Sequence, residues 1–246
     1  MIKEKIFEIK SDKDIRKANK FQYEFIADFT KAKRTAILPN EFEYSKTHIF
    51  LCRPDMITIG ERAFANNTSL TNFGGNPQII GNEAFSFCSQ LETFNFDKVQ
   101  SIGSGAFQYS GLKEFTAGNN LKLLKDNTFS GCYNLTEANL GHIEGIGHHC
   151  FSSTGISSIT LNKELKKIGN QAFEACLYLK NIICLCHEPP RLCESSLIGT
   201  AVEKIWLPDQ TSLEKYQAAK YWSDYKSLMC LIDWNAINEY LNSLKN

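Results

Sequence analysis

Six phenylalanines recur through the middle of the chain at a nearly fixed step: Phe64, Phe85, Phe107, Phe129, Phe151 and Phe173, separated by 21, 22, 22, 22 and 22 residues. Leu197 follows at 24 and reads as a seventh, degenerate member. A period of this length predicts short units that cannot bury an apolar face alone and stack on their neighbours. It therefore predicts a solenoid, and solenoids mostly present a long regular surface to a partner.

Written as a consensus, one unit is I-G-x-x-A-F, then five or six residues to an aliphatic, then x-x-Φ-x-Φ, where Φ is apolar. Ile80 to Phe85 leads to Leu91, Phe94 and Phe96; Ile146 to Phe151 leads to Ile156, Ile159 and Leu161. The Φ-x-Φ step places two apolar side chains on one face of a strand. A short strand is expected there, paired in parallel with its counterpart in the next unit. A second apolar pair precedes the glycine (Val99 and Ile102, Leu121 and Leu124, Ile143 and Ile146, Leu165 and Ile168) and predicts a second short extended segment. The A-F element has room for one helical or 3₁₀ turn, and its phenylalanines are expected to stack as an internal spine. Lys125 occupies the glycine slot of the fourth unit. Either that slot does not demand positive φ or the fourth unit is locally different.

The gap from anchor to aliphatic is six residues in units one, two, four and six, and five in units three, five and seven. The six-gap units carry Asn67, Cys88, Cys132 and Cys176 three residues after the anchor; the five-gap units carry Ser110, Thr154 and Thr200, followed by Gly111, Gly155 and Ala201. Two loop geometries follow. In the short one a hydroxyl bonds nearby backbone and a small residue permits a tight turn. In the long one a small, weakly polar side chain points inward. Strands stack about 4.8 Å apart, so Cys88, Cys132 and Cys176, two units apart, should sit ~10 Å from one another. A disulfide needs Cα atoms within about 7 Å. The nine cysteines are expected to be mostly free thiols.

Charge excludes some partners. Lys plus Arg and Asp plus Glu are 27 each, which leaves no electrostatic case for nucleic acid. Apolar runs fall far short of the about 20 residues that span a bilayer. The first ten residues mix charges into their apolar run and do not read as a signal peptide. As written, the chain is expected in the cytoplasm or without its leader.

An open stack needs capped ends. Residues 1–55 are read as an N-terminal helical cap with irregular repeat, 56–208 as about seven repeat units, and 209–246 as a C-terminal helical cap. Ser11 to about Arg34 reads as one helix, with Ile15, Ala18, Phe21, Phe25 and Phe29 at helical spacing. At the other end Thr211 and Glu214 resemble a capping box opening a helix to about Tyr221. Asp233 starts a last helix with Trp234, Ile237, Leu241 and Leu244 on one face.

Chemistry is sparse. His142, His148 and His149 near Cys150, and Cys184-Leu-Cys186-His187 followed by Cys193, are conceivable zinc ligands. The former fit the exposed x-x slots of the repeat, and the latter lack a common zinc spacing, so no metal, cofactor or catalytic residue is assigned. No phosphate loop, dinucleotide fingerprint or nucleophile elbow occurs, and the chain is not expected to be an enzyme. Candidate partner-binding residues come from alternation along the strands. One outward ladder runs Thr93, Glu114, Glu137, Ser158, Asn181 and Lys204; the other runs Asn95, Thr116, Asn139, Thr160, Ile183 and Trp206. They describe a polar platform with an apolar end, where an exposed Trp206 would be a binding anchor.

The signature I-G-x-x-A-F-x-x-C-x-x-L-x-x-Φ-x-Φ, from about Met56 to Leu207, resembles the BspA-type leucine-rich repeat family. Pro189-Pro190, Trp206-Leu207-Pro208 and the tyrosine-rich stretch to Tyr225 resemble the closing unit common in its gut-bacterial members. The resemblance implies an α/β leucine-rich-repeat solenoid with stacked short parallel strands and a role in adhesion at the cell surface or after secretion. The expected function is non-enzymatic binding of a protein partner through the sheet face. A carbohydrate-binding module and an intracellular scaffold or inhibitor are the alternatives.

Overall fold

A computed structural model of the chain describes residues 5–21 and 25–235. The repeat unit makes one circuit of chain with three sides. The first side is the Φ-x-Φ segment. Its strands form parallel ladders in three groups: Lys5–Glu8, Phe25–Asp28, Thr47–Leu51 and Asn72–Gly74; Glu114–Thr116 and Glu137–Asn139; then Ser158–Leu161, Asn181–Cys184, Lys204–Leu207 and Met229–Leu231. The second side is the segment before the glycine. Its two-residue strands at Ala36–Ile37, Thr58–Ile59, Ile79–Ile80 and Ser101–Ile102 form one parallel ladder, and Leu123–Leu124, Gly145–Ile146 and Lys167–Ile168 form another.

The third side is the A-F turn. Every second amide in it bonds forward to the next unit: Phe64 N–H to the Ala84 carbonyl at 2.7 Å, Phe85 to Ala106 at 2.7 Å, Phe151 to Ala172 at 2.8 Å. The amides between them bond three residues back, as Ala65 does to Arg62 at 3.0 Å. That is the 3₁₀-type spacing expected of so short an element. Left-handed residues bracket the turn, such as Glu83 and Phe87 at φ of 52° and 60°. A side chain in that region costs about 1–3 kcal/mol and persists only where its surroundings over-determine it. Here Glu83 and Phe87 each donate their own N–H across units, to Ser104 at 2.9 Å and to Gln108 at 2.8 Å.

The glycine slot is explained by close approach. A Cβ on Gly81, Gly103 or Gly147 would lie 2.5, 2.3 or 2.6 Å from backbone of the preceding unit, and none of the three has positive φ. Lys125 brings a Cβ into that slot. The second-side ladder stops at Ile102 and restarts at Leu123. Gly103 and Gly147 donate to the previous unit at 2.8 Å each; Lys125 makes no such bond among the described residues. The fourth unit is therefore locally different at the slot where Lys125 replaces glycine.

The spine is stacked as expected. Consecutive rings from Phe64 to Phe173 lie 5.2 to 5.9 Å apart with interplanar angles of 2° to 19°. The spine also has a member that the sequence reading missed. Phe42 stacks on Phe64 at 5.3 Å and 9°. Its unit, Ile37-Leu-Pro-Asn-Glu-Phe42, lacks both the glycine and the alanine, which hid it. The two loop types behave as read except at Ser110, whose hydroxyl lies 3.3 Å from the Cys132 sulfur. Cys88, Cys132 and Cys176 donate to the carbonyls of Phe64, Phe107 and Phe151 at 3.0–3.1 Å. Thr154 and Thr200 hydroxyls donate to Phe151 and Leu197 carbonyls at 2.9 and 2.8 Å. All nine cysteines are free thiols.

The ends differ from expectation. The N-terminal helix, α1, covers only Asp12–Asn19, opened by Ser11 with Asp14 accepting from the Ser11 N–H at 2.9 Å. Phe25 and Phe29 are not helical: Phe25–Asp28 is a strand with Phe25 and Ala27 buried, and Phe29 follows it on the same buried side. A four-residue spacing fits one face of a helix and one face of a strand equally, so Phe25 and Phe29 misled. At the other end α2 covers Gln210–Ala218, and its cap is Asp209, accepting from Ser212 N–H at 2.7 Å, not Thr211. A 3₁₀ segment, Trp222–Leu228, follows. In the last predicted helix, Ile237, Leu241 and Leu244 lie outside the described residues.

Candidate functional site

Alternation along the first-side strands sends one residue to the core and the next to the surface. Phe115 is buried between exposed Glu114 and Thr116, and Ile159 between half-buried Ser158 and exposed Thr160. Register then aligns the outward residues across units: Glu114 with Glu137, Thr116 with Asn139, Ser158 with Asn181 and Thr160 with Ile183.

The ladder is interrupted between Glu137–Asn139 and Ser158–Leu161. Over this seam lies a cleft of about 740 Å³ lined by Glu114, Thr116, Glu137, Asn139, Ser158 and Thr160. Ala138, where neighbouring units have Phe115 and Ile159, forms part of its wall. Tyr133 and Tyr178, each 66% exposed, stand at its border. Gly155 also lines it. A Cβ there would meet the Tyr133 carbonyl at 2.6 Å, so a small residue is required where the chain turns into the cleft. Sequence alternation found the polar lining; it did not find Tyr133, Tyr178 or the seam. Six of the twelve candidate residues converge here.

The other six do not. No strand forms over Leu91–Phe96, where Thr93 and Asn95 sit. The Asn95 side chain instead accepts from the Asp97 N–H at 2.8 Å, and Asn139 does the same for Gly141 at 3.0 Å. Such turns compete with the strand ladder. Lys204 is exposed with its ammonium 4.8 Å from the Trp206 ring centroid. Asn181, Ile183 and Trp206 are buried. Trp206, expected as an exposed anchor, is 6% exposed. It pairs with Cys230 on the strand Met229–Leu231, packs with Ile183, Leu185 and Ile232, and donates its indole N–H to Asn181 at 2.9 Å. The apolar end of the platform is thus closed by the chain's own C-terminal segment, which adds the next strand beside Trp206 and packs Ile232 with it.

The cysteine and histidine clusters are drawn apart. Cys184 and Cys186 are buried, and the Tyr216 hydroxyl lies 3.2 Å from the Cys186 sulfur. Burial pushes both thiols up, which disfavours the thiolate a metal needs. His187 is exposed and lies 2.9 Å from Asp209. His148 accepts from the Asn170 N–H at 2.9 Å, and His149 lies 3.2 Å from Glu174. Among the described residues no group of three or more such side chains is placed to hold a metal ion.

The repeat geometry agrees with comparison to known proteins. The BspA type leucine rich repeat region matches in six copies over residues 35–142 and 57–180. The chain belongs to the BspA-type leucine-rich repeat family. A leucine-rich repeat protein from Bacteroides ovatus is similar in structure at 17% identity and a TM-score of 0.54, over 84% of this chain and 64% of that one. A leucine rich cell surface protein from Faecalibacterium prausnitzii is similar at 24% identity and a TM-score of 0.49, over 68% of this chain and 44% of that one. The BspA-type chain therefore spans less than two thirds of either. The likeness to the Bacteroides ovatus protein supports the leucine-rich-repeat fold, with parallel strands and few helices. No curated protein matches the chain. Family membership is consistent with a protein-interaction or surface role. Among the described residues, no helix is long and apolar enough to cross a membrane.

Proposed function

We propose that this BspA-type repeat chain is a non-enzymatic interaction module that binds a protein partner through its sheet face. The units would run as one solenoid, with residues 1–55 and 209–246 closing its ends. The supporting observation is the convergence of Glu114, Thr116, Glu137, Asn139, Ser158 and Thr160 on one cleft beside two exposed tyrosines. Tyrosine is enriched at binding hot spots because it offers large area with a polar tip. A polar lining with aromatic borders suits recognition of a partner.

A photo-crosslinking side chain at Thr116 or Thr160 tests this reading against one at Lys122, which lies outside the cleft lining. Irradiation in the presence of source-cell proteins should give a discrete adduct from the cleft positions alone. Equal adducts from both places, or adducts from Lys122 only, would move the site elsewhere. Adhesion further requires display outside the cell. Protease added to intact source cells should then cut the chain; protection beside a cut surface control would place the partner inside.

A further inference from the structure

Resting on that reading, the charge of the cleft names the chemistry of its occupant. Glu114 and Glu137 stand directly opposite each other on adjacent parallel strands, both exposed. Like charges so placed destabilise a sheet. Other carboxylates of the surface are paired across units: Glu92 with Lys113 at 2.5 Å, Glu144 with Lys166 at 2.6 Å and Glu203 with Lys180 at 2.9 Å. Neither Glu114 nor Glu137 has an ion pair or side-chain hydrogen bond among the described residues. No lysine, arginine or histidine lines the cleft. The exposed Tyr133 and Tyr178 add ring faces that attract cations.

We infer that the cleft takes an arginine side chain from an extended basic segment of a protein partner. The guanidinium is planar, matches carboxylates in a forked geometry and stacks on aromatic rings, which an ammonium does less well. The Thr116, Ser158 and Thr160 hydroxyls can donate to or accept from the partner's backbone. A cleft of about 740 Å³ has room for a side chain with its flanking backbone. A bound guanidinium would offset the repulsion between the facing Glu114 and Glu137 carboxylates.

The test is fluorescence anisotropy of a fluorescein-labelled Arg-Gly repeat peptide with the full chain at low salt. Saturable binding is expected. Glu114→Gln with Glu137→Gln should weaken it about tenfold or more, and Tyr133→Ala by several-fold. Glu92→Gln with Glu203→Gln removes two carboxylates that are already paired and should leave it unchanged. A Glu-Gly peptide should not bind the native chain but should gain affinity for Glu137→Lys. Thermal unfolding of the double Gln variant, expected at or above the native temperature, separates lost binding from lost folding. Equal binding by both double variants would overturn the inference, as would binding abolished by EDTA or displacement by chitohexaose. Crosslinks from Thr116 or Thr160 to a partner segment without basic residues would sink this inference and leave the sheet-face reading standing. Crosslinks that avoid the cleft would remove both.

Discussion

The centre of the sheet face and its C-terminal end carry the same alternating pattern and reach opposite outcomes. At Glu114–Thr160 the outward residues stay open around the seam. Toward the C-terminal end Asn181, Ile183 and Trp206 are buried, with Met229–Leu231 paired beside Trp206 and Ile232 packed with it. The lesson is that alternation assigns a side chain to a face but not to solvent. Whether a face is free depends on what other chain packs over it.

The sharpest way to break this contrast is Trp206→Ala. Loss of a buried large aromatic should cost about 3–5 kcal/mol, read as a lower urea midpoint at unchanged slope. Tyr133→Ala in the open cleft should stay within about 0.5 kcal/mol. Equal costs would mean that the two regions are not covered differently.

Alkaline titration probes the thiols of both regions together. Burial pushes Cys132 to about 11 from 9.0 and raises Cys150 and Cys184 as well. Between those values the unfolded chain has released protons that the folded chain keeps, so stability falls as pH rises. The contribution is whole below pH 9 and is lost progressively toward pH 11 for Cys132. Denaturation midpoints that stay flat from pH 8 to about 11 would contradict the burial.

Gly155→Ala should cost about 1–3 kcal/mol through overpacking against the Tyr133 carbonyl, visible in the same urea series. A neutral result would show that the turn beside the cleft has slack. The smallest effect concerns the facing carboxylates. Glu114→Gln with Glu137→Gln should stabilise by ~0.2–1 kcal/mol, with the gain shrinking at high salt. A loss of stability would show that the two charges are held by favourable contacts.

Much of this was legible in the chain. The phenylalanine period, the glycine slot and the five-or-six loop rule are local and repeated, so each unit confirms the others. Lys125 flagged the one unit whose second-side ladder breaks, because a Cβ either fits against neighbouring backbone or does not. Illegible features lacked repetition. Phe42 was hidden by a unit without glycine and alanine. Phe25 and Phe29 were hidden because spacing by four satisfies both helix and strand. The polar lining of the cleft followed from period two, whereas Tyr133 and Tyr178 did not, since they lie on turns outside that period.

The sequence by itself determined the unit, its three sides and its aromatic spine, because hydrogen bonding and burial within a circuit depend on residues a fixed step apart. Only the tertiary structure decided which part of the face is open. The seam lies where the parallel ladder stops between Glu137–Asn139 and Ser158–Leu161, and the burial of Trp206 depends on Met229–Leu231 adding one more parallel strand beside it and on Ile232 packing with it. Met229–Leu231 keeps nearly the unit step, 24 residues after its partners, but no I-G-x-x-A-F signature precedes it, so the consensus along the chain does not mark it.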